Sequence, residues 1–144
     1  MPRNQTATRK QIIYRRGYKY QLSEPYAMKL PFKPPVDIVT EWIELGRNGV
    51  LVIHQGYAWD GASGPARDTK TIMRGSLVHD ALYQLMREGI LPQKYRELAD
   101  KILYLLCKQD GMWQPRAWYV HRAVKRCAAP FARPESLRPA EVAP

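Results

Sequence analysis

The side chains best suited to chemistry lie between residues 57 and 100 of this 144-residue chain. A turn at residues 59–63 reads Trp-Asp-Gly-Ala-Ser, residues 79–83 read His-Asp-Ala-Leu-Tyr, and Asp100 follows. Histidine exchanges protons near neutral pH, and carboxylates act as acids, bases or metal ligands. Glycine lets the backbone of the turn point its N–H or C=O groups at a ligand. The pattern predicts a site for proton transfer or metal binding.

Two helices must position these side chains. Residues 71–87 and 93–109 have helix-forming composition, and the Gly-Ile-Leu-Pro sequence between them predicts a break. If the turn is centred just after Gly89, residues equally distant from it face each other, so His79 meets Asp100 and Tyr83 meets Arg96. A carboxylate on one imidazole nitrogen fixes the tautomer and makes the other nitrogen a better base.

The rest of the chain predicts strands before helices. Residues 18–22, 36–45 and 50–53 have strand-forming composition, and the Gly-Arg-Asn-Gly turn at 46–49 predicts a hairpin. A third helix is predicted from about Gln114 through Val124. The fold class is therefore α+β, with an N-terminal antiparallel β-hairpin or small sheet followed by three helices that include a helical hairpin. We expect one domain over residues 18–129, a basic arm at 1–17 and a proline-rich tail at 130–144.

The order of these motifs resembles a known family. The Asp-Gly-Ala-Ser turn, the His-Asp-x-Leu-Tyr helix, the Ala99-Asp100 pair and a last helix ending in Val124-Lys125 are similar to an uncharacterised small-domain family encoded mainly by bacteriophages and prophages. The resemblance spans residues 50–125. It implies a phage-encoded protein and names no activity.

A second, more distant similarity is to phospholipase A2 enzymes. In those enzymes a glycine-rich calcium loop precedes a helix carrying His-Asp-x-x-Tyr, and a further aspartate lies on the antiparallel helix. The similarity implies that His79 is the general base, that Asp100 orients it with Tyr83 beside them, and that Asp80 binds calcium.

The same similarity assigns roles to the turn. Asp60 and the carbonyl groups around Trp59 to Ser63, including that of Gly61, would complete the oxygen ligands that calcium prefers. Separately, we expect Trp59, Ser63 and Arg96 to contact a substrate or partner. The chain departs from secreted phospholipases in having two cysteines where those are disulfide-rich, and its loop lacks their cysteine and double-glycine spacing.

The charge distribution bears on partners and location. The net charge is +10, and basic residues concentrate at the two ends of the chain. Such ends predict binding to other virion proteins, an acidic lipid surface or DNA. No apolar run approaches the roughly 18 residues of a membrane span, and no secretory signal opens the chain. We therefore expect synthesis in the host cytoplasm, followed by incorporation into a phage particle.

Two classes of function fit these observations. In the first, the protein is a calcium-dependent hydrolase of a lipid or envelope ester, with His79 as its base. In the second, His79 and Asp100 form a buried structural pair, and the protein is a non-catalytic virion or assembly component that binds its neighbours through its basic ends.

Overall fold

A computed structural model describes residues 14–16, 20–61, 69–127 and 129–133. The chain divides into two compact units, Met1–Ala62 and Ser63–Pro144. The described strands lie in the first unit and the described helices in the second. The predicted α+β class is confirmed, with an antiparallel sheet region followed by three helices.

The N-terminal unit contains two small antiparallel sheets. One has the order β1-β2-β7 and the other the order β3-β6-β5-β4. The strands are β1 (Tyr14–Arg16), β2 (Tyr20–Leu22), β3 (Tyr26–Lys29), β4 (Ile38–Val39), β5 (Ile43–Leu45), β6 (Val50–Ile53) and β7 (Ala58–Trp59).

The hairpin of β5 and β6 forms as predicted, because its residues alternate between the core and the surface. Ile43 and Leu45 on β5, and Leu51 and Ile53 on β6, are fully buried. Gly49 closes the turn with φ of +86°, and a Cβ there would lie 2.7 Å from the carbonyl oxygen of Phe32. A side chain at this position would therefore clash as well as strain the backbone.

The single strand predicted over residues 36–45 is instead two strands. The Thr40 hydroxyl donates to the carbonyl of Ile43 at 2.9 Å and accepts its N–H at 3.0 Å, which closes a tight turn between β4 and β5. Strands β3 and β7 were not predicted. Residues 26–28 are buried on both faces and do not alternate, and β7 is only two residues long.

The C-terminal unit is helical. It contains α1 (Lys70–Arg87), α2 (Arg96–Gln109), α3 (Gln114–Cys127) and two 3-10 turns, Gln93–Tyr95 and Ala129–Ala132. Helix α1 ends at Arg87, two residues before Gly89, whose φ is +72°. The N–H groups of Gly89 and Ile90 return to the carbonyls of Met86 and Leu85. This compact turn makes α1 and α2 an antiparallel hairpin, as predicted. In the part of the chain that is described, no helix is long and apolar enough to cross a membrane.

Close packing fixes the register of the hairpin. A Cβ on Gly75 would lie 2.8 Å from Cδ1 of Leu103 and 3.2 Å from Sγ of Cys107, so a side chain here would force Leu103 or α2 to shift. At the end far from the turn, the buried Arg74 guanidinium binds both carboxylate oxygens of Asp110 at 2.9 and 3.0 Å. These contacts place His79, one turn after Gly75, opposite the first half of α2.

The two ends of the chain are described only in part. Residues 14–16, which the sequence analysis placed in the basic arm, form β1 and pair with β2. Of residues 130–133 in the predicted tail, 130–132 belong to the last 3-10 turn, where the Gln93 side chain donates to the carbonyl of Ala132 at 2.6 Å. The remaining parts of both ends lie outside the described residues, so the predicted domain limits stay predictions.

Candidate functional site

A cluster of polar side chains lies between α1 and α2. His79 Nε2 is 2.7 Å from Asp100 Oδ1, and the Tyr83 hydroxyl donates to the same oxygen at 2.6 Å. The His79 and Tyr83 rings are one helical turn apart, with centroids separated by 4.1 Å. Only 4% of His79 and 1% of Asp100 is exposed. The predicted contact between His79 and Asp100 is confirmed.

The other imidazole nitrogen faces a second carboxylate. His79 Nδ1 is 3.8 Å from Asp80 Oδ1, and 28% of the Asp80 side chain is exposed. The imidazole therefore lies between a buried carboxylate on α2 and a partly exposed one on its own helix. Nδ1 is the nitrogen nearer to the more exposed carboxylate.

The surroundings of the imidazole favour its protonated form. Burial alone lowers the pKa of His79, but hydrogen bonds and charge interactions with Asp100 and Asp80 outweigh burial and raise the pKa above its ordinary value of 6.5. Burial, followed by the nearby Asp100 carboxylate, raises the pKa of Tyr83 far above its ordinary value of 10.0. Tyr83 therefore stays neutral and remains a hydrogen-bond donor to Asp100.

Arg96, which the sequence pairs with Tyr83, is the fourth member of this cluster, and we call His79, Tyr83, Arg96 and Asp100 the polar seam. Arg96 acts on the Tyr83 hydroxyl through a hydrogen bond and its charge, which lower the phenol pKa but only partly offset the effect of burial and Asp100. Asp100 Oδ2 is buried and has no hydrogen-bond partner among the described residues. A buried acceptor without a hydrogen bond lowers the free energy of unfolding by about 1–3 kcal/mol. Asp100 therefore binds two side chains through Oδ1 but destabilises the fold through Oδ2.

The predicted residues of the turn belong to the N-terminal unit or lie outside the described residues. Trp59 is buried in β7 and packs against Tyr20 with ring centroids 5.6 Å apart. Asp60 is exposed, Gly61 is buried with φ of +75°, and Ser63 falls outside the described part of the chain. The predicted calcium shell combines these residues with Asp80 of the C-terminal unit, and it stays a prediction.

A side chain with the chemistry of a calcium ligand lies beside His79. Within residues 14–16, 20–61, 69–127 and 129–133, no group of three or more histidine, cysteine, aspartate or glutamate side chains could together hold a metal. Calcium also accepts backbone carbonyls and water as ligands, so carboxylates need not supply all of its roughly six to eight oxygens. The Asp80 carboxylate has the oxygen chemistry and the partial exposure that such a ligand needs.

Sequence reasoning missed a basic groove between α2 and α3. The groove has a volume of about 400 Å3, and its lining includes Lys94, Lys101, His121 and Lys125, with Asp100 at its edge. A neighbouring groove of about 550 Å3 runs along α3. The available signal was the composition of α3, which carries four arginine or lysine residues and no aspartate or glutamate.

Comparison with known proteins places the chain in a family. It belongs to DUF1353, a family of proteins of unknown function, whose model matches residues 38–124. The matched region contains His79, Asp80, Tyr83, Arg96 and Asp100. No curated protein and no solved structure matches the chain.

Proposed function

We propose that this DUF1353 protein is a phage-encoded, calcium-dependent hydrolase in which His79 activates water to cleave a lipid or envelope ester. The observation that carries the proposal is the shared oxygen of Asp100, which binds His79 Nε2 at 2.7 Å and the Tyr83 hydroxyl at 2.6 Å. This contact fixes the imidazole and leaves Nδ1 as the nitrogen available for proton transfer. The same combination of residues supports the similarity to phospholipase A2.

In the proposed reaction the two imidazole nitrogens of His79 have different roles: Nε2 is held by Asp100, and Nδ1 transfers the proton. At pH values above the raised pKa of His79, the neutral imidazole takes a proton from water at Nδ1 while the water oxygen attacks the ester carbonyl. The carbon–oxygen bond to the alcohol then breaks, and Nδ1 returns the proton to the departing oxygen, so that ester and water become acid and alcohol. Asp100 stabilises the transient imidazolium and keeps the proton on Nε2, and Tyr83 keeps Asp100 in place.

Asp80 has a separate role in this proposal. Its carboxylate lies on the Nδ1 side of the imidazole and is the candidate calcium ligand of α1. When bound, calcium would supply positive charge to stabilise the oxyanion that develops from the ester carbonyl. The net charge of +10 further favours an anionic lipid or envelope as the source of the ester.

The direct test is ester hydrolysis with a histidine variant. Full-length protein is incubated with phosphatidylglycerol vesicles and calcium, and released fatty acid is measured. We expect His79→Gln to lower the rate by roughly 10² to 10⁴-fold, the usual contribution of a general base. His54→Gln is the matched control, because His54 is 3.0 Å from Glu44 in the N-terminal unit and has no place in the mechanism. A wild-type protein without ester hydrolysis on vesicles or on a soluble ester would refute the proposal.

Burial of the pair supports a second candidate function. With 4% of His79 and 1% of Asp100 exposed, the two side chains also fit a purely structural bond between α1 and α2. In that case the protein is a non-catalytic virion or assembly component. Its signature would be a fixed number of copies in purified particles, an inactive wild type, and loss of folding in His79→Gln.

A further inference from the structure

The two grooves of the C-terminal unit form one continuous track. Lys94 and Lys101 line the first groove from the α2 side, and the second groove continues along α3 past Trp118, Arg122 and Arg126. His121 and Lys125 line both grooves and therefore join them. Helix α3 is held in place beside the track because Gln114 donates to the Tyr104 hydroxyl at 2.6 Å and His121 packs on the Tyr104 ring.

The track is strongly cationic. Five lysine or arginine side chains line it against two carboxylates, Glu97 and Asp100. Asp100 is already bound to His79 and Tyr83, which leaves Glu97 as the exposed acid of the lining. Cations along a groove with so few acids attract a ligand that carries several negative charges.

Exposed aromatic rings accompany the cations. Trp118 lines the second groove and is 53% exposed, and its neighbour Tyr119, which lines neither groove, is 49% exposed. The Arg122 guanidinium lies 5.1 Å from the centre of the Trp118 ring. Aromatic rings interleaved with arginine and lysine provide stacking surfaces for nucleic-acid bases beside contacts for phosphates.

We propose that this track binds a single strand of nucleic acid. The phosphates lie against the five lysine and arginine side chains of the track, which include Arg122, Lys125 and Arg126 of α3, and a base stacks on Trp118. The first groove is lined from the α2 side and from α3, so a nucleic-acid strand in it is contacted from both walls, whereas a planar layer of lipid headgroups would reach only the rim. The second groove is lined by α3 and extends the contact along that helix. From residue 118 to 126 the helix extends about 12 Å, which suits a strand of a few nucleotides. This function is independent of ester hydrolysis.

The test measures binding of a defined strand. Fluorescence anisotropy of a fluorescein-labelled deoxythymidine oligonucleotide is followed with full-length protein over a range of salt concentrations. Relative to wild type, we expect R122A/K125A/R126A to bind at least tenfold more weakly. The slope of log affinity against log salt should become shallower by about 2, since each phosphate contact on a single strand contributes about 0.7.

A matched control separates position from total charge. K29A/K33A/R47A removes the same charge from exposed sites of the N-terminal unit, and we expect less than a threefold change. K94A/K101A alters the α2 wall and should also weaken binding, while Trp118→Ala should weaken it at least fivefold without changing the salt slope. All of these side chains are exposed, so melting temperatures should stay close to that of wild type.

Three results would overturn the proposal. The first is an equal loss of affinity in the α3 triple variant and the N-terminal control, which would show that net charge alone drives binding. The second is an unchanged affinity in K94A/K101A and Trp118→Ala, which would exclude the track. The third is binding of wild-type protein to phosphatidylglycerol vesicles without binding to the oligonucleotide, which would identify a lipid surface as the partner.

Discussion

Replacing Asp100 with asparagine tests the polar seam between α1 and α2. Asparagine keeps the size of the side chain but removes the charge from an oxygen that holds both His79 and Tyr83. Hydrogen bonds to a charged group contribute about 1.5–3 kcal/mol each, against about 1 kcal/mol for neutral ones. With two such bonds weakened at a site that is 1% exposed, we expect Asp100→Asn to lower the free energy of unfolding by about 2–3 kcal/mol at pH 6.

A double-mutant cycle assigns this loss to the pair. Asp100→Asn, His79→Gln and the double variant are unfolded with urea at pH 6, and the interaction energy is taken from the non-additivity. We expect about 2 kcal/mol. The matched pair is His54 with Glu44 in the N-terminal unit, at 3.0 Å but with side chains 41% and 29% exposed. Exposed ion pairs contribute about 0.2–1 kcal/mol, so Glu44→Gln with His54→Gln should give a much smaller coupling.

The result that would refute this reasoning is a coupling no larger than that of the exposed pair. Tyr83→Phe then distinguishes the possible causes. It removes one donor to the Asp100 carboxylate and leaves His79 in contact, so it should lower the free energy of unfolding by about 1.5–3 kcal/mol. If Tyr83→Phe costs more than Asp100→Asn, the hydroxyl and not the imidazole is the main partner of the carboxylate.

Three further predictions concern pH, calcium and packing. The pKa of His79 is raised in the folded protein, so the charged imidazole stabilises the fold fully below about pH 6.5, and this stabilisation is lost as pH rises through the folded-state pKa. The free energy of unfolding, measured with urea from pH 5.5 to 9, should therefore decline with pH, and the decline should be smaller in His79→Gln. Calcium should raise the melting temperature of wild type and of the exposed-site control Glu88→Gln, but not of Asp80→Asn. Gly75→Ala should lower the free energy of unfolding by about 1–2 kcal/mol. The new Cβ would lie 2.8 Å from Leu103 Cδ1, and the repacking this forces outweighs a gain in helix propensity of up to about 1 kcal/mol.

The helices could be predicted from sequence because local signals define their ends. Gly89 and Gly111 both adopt positive φ and terminate α1 and α2, and Pro115 lies in the first turn of α3. The strands were harder to predict because their signals depend on tertiary contacts. Residues 26–28 carry no alternation, and the division of residues 36–45 depends on one side-chain turn at Thr40.

The seam was predictable for a related reason. A short turn centred at Gly89 leaves little freedom in the register of two helices, so counting outward from it correctly pairs His79 with Asp100. Counting could not show that Tyr83 shares the same carboxylate oxygen, since this depends on side-chain rotamers. It also could not show the track between α2 and α3, because the placement of α3 depends on contacts such as Gln114 with Tyr104.

Adjacent residues of α2 contribute differently to the seam and to the track. Asp100 also borders the first groove, but it is 1% exposed and binds His79, whereas Lys101 is exposed and offers its charge to the track. Successive residues of a helix point about 100° apart, so one turn can contribute to the core and to a binding surface at once. Lys101→Ala should therefore weaken oligonucleotide binding while leaving the free energy of unfolding within about 0.5 kcal/mol of wild type. Asp100→Asn should lower stability and leave the cations of the track in place. If Lys101→Ala destabilised the protein as strongly as Asp100→Asn, the seam and the track would be one structural unit and not two separate sites.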